Sequence, residues 1–246
     1  RIAKQTVGFS GADLENMLNE AAILAARSNK KAIEMEDLEE AATKVKLGPQ
    51  KKRLQSEQER KIAAYHESGH ALIAHLLPNV DPIGRVSIVA RGLTLGHTMI
   101  SPIQDRSQET KTRLRERLSV LLAGRAAEEL VFSEMTTGAS DDIKKANQLA
   151  RSMVVDFGMS SLGPVTWDGQ DEEEEWSIVD PISAKMKARI DGEIEVIVNQ
   201  AYRQAKKLLK ENKTVLAKLA QELLVKETLD QAEFEKVVGK KKKTNE

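Results

Sequence analysis

Five consecutive residues carry the strongest chemical signal in this 246-residue chain: His66-Glu67-Ser68-Gly69-His70, an H-E-x-x-H pattern inside a stretch with helical spacing. Residues four apart share one helix face, so both imidazoles can reach one metal ion. Zinc suits two neutral imidazoles plus an oxygen ligand and keeps one position for water. Glu67, next to the first histidine, is placed to contact that water rather than the metal. It would take the water's proton as general base and return it to the departing amine of a cleaved peptide bond. The flanking Ile62, Ala63, Leu72, Ile73 and Leu76 make this a largely buried helix, where unpartnered imidazoles are costly.

Spacing leaves the third ligand open. Extension of the motif to a third histidine would need Gly at 73 and His at 76, but these are Ile73 and Leu76. His75 is one residue out of that register and points well away from the His70 face, about 140° around the helix, which makes it a structural or surface residue. His97 falls in a strand-like segment, and exposure is the simpler expectation for it. Four carboxylates remain: Glu128 and Glu129 near the end of one helix, and Asp141 and Asp142 at the start of the next. An Asp at a helix start is also a common cap, so the pattern does not choose among them.

The elements that must position these residues are mostly helical. Ser10 is placed to cap a helix bearing Leu14, Met17, Leu18, Ala21, Ala22 and Leu24, and a shorter helix is expected over Ile33–Ala42. Lys46–Ser56, with Gly48-Pro49, reads as a linker. Ser56 and Glu59 have capping-box spacing, opening a helix through Leu77 that Pro78 ends. Arg85–Ala90 and Leu95–Ile100 read as strands around an Arg91-Gly92 turn. One long helix is expected over Thr110–Phe132, a turn at Gly138–Ser140, then helices over Asp141–Asp156, Ile182–Leu209, Thr214–Leu224 and Gln231–Val238. Phe157–Asp180 reads as a loop, and its acidic run Asp171–Glu175 as a solvated one, because it lacks calcium-loop spacing. The fold class is therefore mainly α with a small β-sheet, in two domains.

Composition excludes several classes. Lys and Arg number 38 and so do Asp and Glu, giving zero net charge, whereas a nucleic-acid binder needs a basic excess. The basic run Lys240–Lys243 reads as a solvated tail. With no cysteine there is no disulfide, thiolate ligand or thiol nucleophile. No apolar run approaches the ~20 residues of a membrane span. A start at Arg1 without a leader pattern is what a fragment of a longer protein would show.

Taken together, three stretches resemble the FtsH family of membrane-anchored, ATP-dependent zinc proteases: His66–Ala71, Gly124-Arg125-Ala126-Ala127-Glu128-Glu129, and Thr137-Gly138-Ala139-Ser140-Asp141-Asp142-Ile143. Gly8–Leu14 and Asn19–Ala22 resemble the helical lid of that family's AAA+ module, and Lys226–Leu229 resembles a stretch after its last long helices. The resemblance runs along essentially the whole chain. It implies a lid over 1–46, a linker over 47–56, a zincin-like helical protease domain over 57–239 and a basic tail over 240–246. It also implies Zn2+ held by His66, His70 and Asp142, Glu67 as catalytic base, and Glu128 beside the metal, orienting a histidine. It makes Leu95–Ile100 an edge strand for extended substrate, and makes unfolded or membrane proteins the substrates of a homo-hexameric ring. Ser68 stands where the family usually has Ala. Without a phosphate-binding loop in these residues, ATP and Mg2+ belong to a longer parent. The resemblance anchors that parent in the cell membrane, or in an organellar equivalent, with this part cytoplasmic and itself soluble, membrane contact being left to segments before it. The alternative is a catalytically silent structural subunit of such a ring, against which stands the presence of all four catalytic positions.

Overall fold

The computed structural model describes residues 2–49, 56–90, 96–100, 106–165 and 182–241. The linker's centre, the Arg91-Gly92 turn, the acidic run and the last residues of the basic tail lie outside them. Among the described residues the chain is helical apart from one three-stranded sheet.

The N-terminal part is α1 (Ile2–Gln5), α2 (Gly11–Arg27) and α3 (Met35–Leu47). Ser10 caps α2 as expected: its hydroxyl accepts from the Asp13 amide while the Asp13 carboxylate accepts from the Ser10 amide. Met17 and Ala21 of α2 pack on Ala41 and Ala42 of α3. The second helix starts two residues later than the spacing suggests and runs five residues further, into the expected linker. It stops at Gly48, whose φ of 87° is a left-handed conformation that suits glycine.

The helix that carries the motif, α4 (Glu57–Leu76), is opened by the Ser56/Glu59 capping box. Its stretch from His66 to Ala74 is buried throughout, which places it at the centre of the main core. Leu72 and Ile73, at 1% and 0% exposure, each contribute about 1.5–3 kcal/mol by leaving water. Around α4 stand α5 (Lys111–Leu121), α6 (Ala123–Phe132), α7 (Ser140–Val155), α8 (Ala184–Glu211), α9 (Lys213–Lys226) and α10 (Gln231–Val238). A second core joins α5, α7 and α8 through Leu118, Met153 and Ile190.

The unbroken helix expected over Thr110–Phe132 is two helices. Leu122 departs to φ −89°, ψ −4°, and its amide is shared between the carbonyls of Leu118 and Val120. The apolar stripe continues across the break, so periodicity does not reveal it. Against α4, Gly69 explains the close approach of α6: a Cβ there would lie 2.7 Å from the Ala123 carbonyl oxygen and 2.8 Å from the Ala127 Cβ.

In the sheet, β1 (Ile83–Ser87) is central, with β2 (His97–Ile100) and β3 (Thr228–Asp230) antiparallel on either side. Val86 faces Thr98 in one pairing and Leu229 in the other. Among the described residues β2 is thus an edge strand. The first strand begins two residues earlier and ends three earlier than expected, and β3 has no sequence counterpart. Arg85 on β1 reaches α3, donating to the Thr43 hydroxyl at 3.4 Å and lying 3.6 Å from the Glu39 carboxylate. Among the described residues, no helix is long and apolar enough to cross a membrane.

Candidate metal centre

Two elements bring three ligand atoms to one point. His66 and His70 project from one face of α4, with ring centroids 4.7 Å apart, and Asp142 comes from the first turn of α7. The Nε2 atoms of the two histidines are 3.0 Å apart, and Asp142 Oδ2 is 3.3 Å from His66 Nε2 and 3.4 Å from His70 Nε2. A tetrahedral zinc with bonds of about 2.0–2.1 Å spaces its ligands roughly 3.3–3.4 Å apart, so the triangle has the right size.

The orientation of the rings adds a second reason. His66 Nδ1 is 2.6 Å from Glu128 Oε1, and His70 Nδ1 is 2.7 Å from the Val120 carbonyl oxygen. A carbonyl and a carboxylate accept, so each ring's hydrogen sits on Nδ1, assigned from these partners. In neutral imidazoles both Nε2 lone pairs then point at the Asp142 carboxylate and at each other. Three electron-rich atoms aimed at one space form a site that a cation fits.

The electrostatics of the cluster favour positive charge in the same place. Burial works against a charged His66, but hydrogen bonds to Asp142 and Glu128, with the charges of Glu67 and Glu128, outweigh it and push its pKa up to about 10. Burial would raise Asp142 as well, yet contacts with His66 and His70 hold that carboxyl well below the usual carboxylate range. Glu128 follows the same pattern. Burial is opposed by His66 and by the Thr136 amide, and its pKa is lowered.

Glu128 does more than orient His66. At 1% exposure it spends its second carboxylate oxygen on the Thr136 amide, 2.8 Å away. One side chain therefore ties the first histidine to the segment that leads through the 3-10 turn Thr137–Ala139 into α7 and Asp142. Such outer contacts fix ring orientation and strengthen a ligand.

The other candidates separate clearly. Asp141 points away and pairs with Lys145 at 2.6 Å, and Glu129 is held by Tyr202 and Lys206. His75 packs edge-on against Phe234, a structural position as expected. His97 corrects its expectation: it is half-buried on β2 rather than exposed, lining one cavity with Lys46 and Leu47 at the end of α3.

Glu67 lies beside the cluster, 7% exposed. Burial raises its pKa above the ordinary carboxylate value, with the charges of His70 and His66 and the Thr98 hydroxyl opposing. A base lifted toward neutrality is better matched to accepting a proton at physiological pH.

Two glycines of the site went unread in the sequence. A Cβ on Gly124 would stand 2.5 Å from Nε2 and Cε1 of His66 and from Nε2 of His70. A Cβ on Gly96 would stand 2.8 Å from the Glu67 Cγ and Oε1. A glycine in the interior of a helical pattern was the available signal for Gly124.

Comparison with known proteins fits this geometry. Residues 53–237 match the model of peptidase family M41, and residues 1–40 match that of the AAA+ lid domain. The chain is 45% identical over 244 residues to the ATP-dependent zinc metalloprotease FtsH of Caldicellulosiruptor bescii, covering 97% of this chain and 40% of that protein. It is 45% identical over 246 residues to FtsH 3 of Petrotoga mobilis, covering 97% and 38%. Against FtsH 1 of Thermomicrobium roseum it is 48% identical over 241 residues, covering 95% and 37%. The chain thus spans about two fifths of the length of these relatives.

Proposed function

The chain belongs to peptidase family M41, and on that footing we propose that it cleaves peptide bonds with a zinc ion held by His66, His70 and Asp142 and with Glu67 as general base. The observation that carries this is the convergence of both Nε2 lone pairs and the Asp142 carboxylate on one space, 3.0–3.4 Å apart. Zinc held there would supply Lewis acidity, polarising a peptide carbonyl and easing deprotonation of water. The chain's own residues do the rest. Glu67 takes a proton from the attacking water on its carboxylate and delivers it to the leaving amine. Glu128 and the Val120 carbonyl keep the two Nδ1 hydrogens in place, so that both Nε2 atoms stay available as ligands. Antiparallel addition of an extended substrate to the open edge of β2 would supply main-chain hydrogen bonds with little demand on side chains, which suits varied unfolded sequences.

The wider assignment extends from this centre. Residues 1–46 act as an AAA+ lid, 47–56 as a linker, 57–239 as the protease domain and 240–246 as a basic tail. ATP and Mg2+ act in the remainder of a longer protein, which delivers unfolded or membrane proteins to a homo-hexameric ring. That protein is membrane-anchored, with this part on the cytoplasmic side. The words ATP-dependent in the relatives' names and the lid match support this reading.

The test is cleavage of a long unstructured peptide by the purified chain without ATP. Cleavage that a chelator abolishes, zinc restores and Glu67→Gln eliminates is the expected result. A chain that binds zinc yet cleaves nothing would favour the silent-subunit alternative.

A further inference from the structure

Glu67 is gripped by the edge strand as well as by its own helix. The Thr98 hydroxyl lies 2.7 Å from Glu67 Oε2 and 3.2 Å from the Glu67 carbonyl oxygen. A hydroxyl has one proton, and the shorter contact to a carboxylate takes it. Two residues earlier, just ahead of the strand, Gly96 lies so close to the Glu67 side chain that only a hydrogen fits. Gly96 and Thr98 thus both meet the Glu67 side chain, so the start of β2 is built against the carboxylate. Among the described residues, Glu67 Oε1 has no hydrogen-bond donor. Thr98 is β-branched and its χ1 is stiff, so its hydroxyl is a fixed donor.

We propose that Thr98 is a positioning residue for catalysis: its hydroxyl fixes the Glu67 carboxylate so that one oxygen is tied to the edge strand and the other is free to take a proton. The same strand presents the edge to which an extended substrate adds, so placement of the base depends on β2 being in register with β1 through Val86 and Thr98. Among the described residues the Thr98 hydroxyl bonds to Glu67 and to none of the metal ligands, so it acts through Glu67. The inference rests on the peptidase reading above, and its test is arranged so that the two can fail separately.

The experiment compares Thr98→Val, which keeps shape and removes the donor, with Thr98→Ser, which keeps the donor. Both are measured in the zinc-loaded chain on the unstructured peptide. A hydrogen bond to a charged group sets the scale: Thr98→Val should lower kcat by about 10- to 100-fold with KM unchanged within about twofold. Zinc should stay at one per chain, and Thr98→Ser should recover kcat to within about threefold of the parent. Unchanged kcat in Thr98→Val, a loss confined to KM, or a serine variant as impaired as the valine variant overturns the proposal.

A second readout needs no catalysis. Thr98→Val should lower the thermal midpoint in the parent and much less in a Glu67→Ala background, since the carboxylate it serves is then gone. An equal drop in both backgrounds overturns the contact. Failure of the parent to cleave any peptide would sink the peptidase reading alone, while this cycle still decides whether Thr98 holds Glu67.

Discussion

Substitution of Gly124 by Ala tests the metal centre with a single added methyl. Gly124 lies on α6 with no unusual φ, so an alanine there is conformationally comfortable and, by helix propensity alone, would stabilise by about 0.5–1 kcal/mol. The obstacle is the site. The new Cβ would stand 2.5 Å from Nε2 and Cε1 of His66 and from Nε2 of His70, against resting contacts of about 3.5–4.0 Å. Both rings would have to move by roughly 1 Å, several times the ~0.2 Å that metal–ligand distances tolerate. Zinc affinity should therefore fall by about 100-fold or more, beyond what loss of an outer contact costs. Competition against a chromophoric chelator measures this, with circular dichroism to show that the helices persist. Gly192, inside α8 with nothing within 4 Å of an added Cβ, supplies the control: its alanine variant should bind zinc like the parent and be slightly more stable. A Gly124→Ala chain that binds one zinc with parental affinity would refute the reasoning.

Three further outcomes follow from the same contacts. Glu128→Gln should weaken zinc binding about 10- to 100-fold in the same competition assay, because His66 loses its carboxylate partner. Ser68→Ala should raise stability by about 1 kcal/mol in denaturant unfolding, since the Ser68 hydroxyl is buried among the described residues without a hydrogen-bond partner. Asp81, held by Arg106 and Arg113, keeps its carboxyl below the usual range although burial opposes this. A depressed folded pKa adds stability above the unfolded value and loses it as pH falls through the folded one. Asp81→Asn should therefore lower the thermal midpoint at neutral pH, with the difference from the parent shrinking in strong acid.

What could be read from the sequence was what depends on neighbours along the chain. The Ser10/Asp13 and Ser56/Glu59 caps are three residues apart, and the i, i+4 spacing of His66 and His70 sets their common face; the structure has both. α10 spans the expected residues because its own Asp230/Glu233 capping box and Gly239 bound it. What escaped depends on partners distant in sequence. β3 is three residues long and exists by pairing with β1, 141 residues away at Ser87 and Thr228. The break at Leu122 interrupts no hydrophobic pattern. Spacing left four carboxylates open as the third ligand, and only resemblance singled out Asp142. In the structure its carboxylate meets both Nε2 atoms, while Asp141, one residue earlier, turns to Lys145. Thr98 and Gly96 act across 31 and 29 residues on a side chain in another element, and nothing local marks them.

Anomalous diffraction at the zinc edge from crystals grown with zinc tests the central claim most directly. The expected result is one strong peak about 2.0–2.2 Å from His66 Nε2, His70 Nε2 and an Asp142 carboxylate oxygen, with no fourth protein ligand. A peak elsewhere, a fourth side chain closing the coordination sphere, or no zinc in an otherwise unchanged fold would contradict the account.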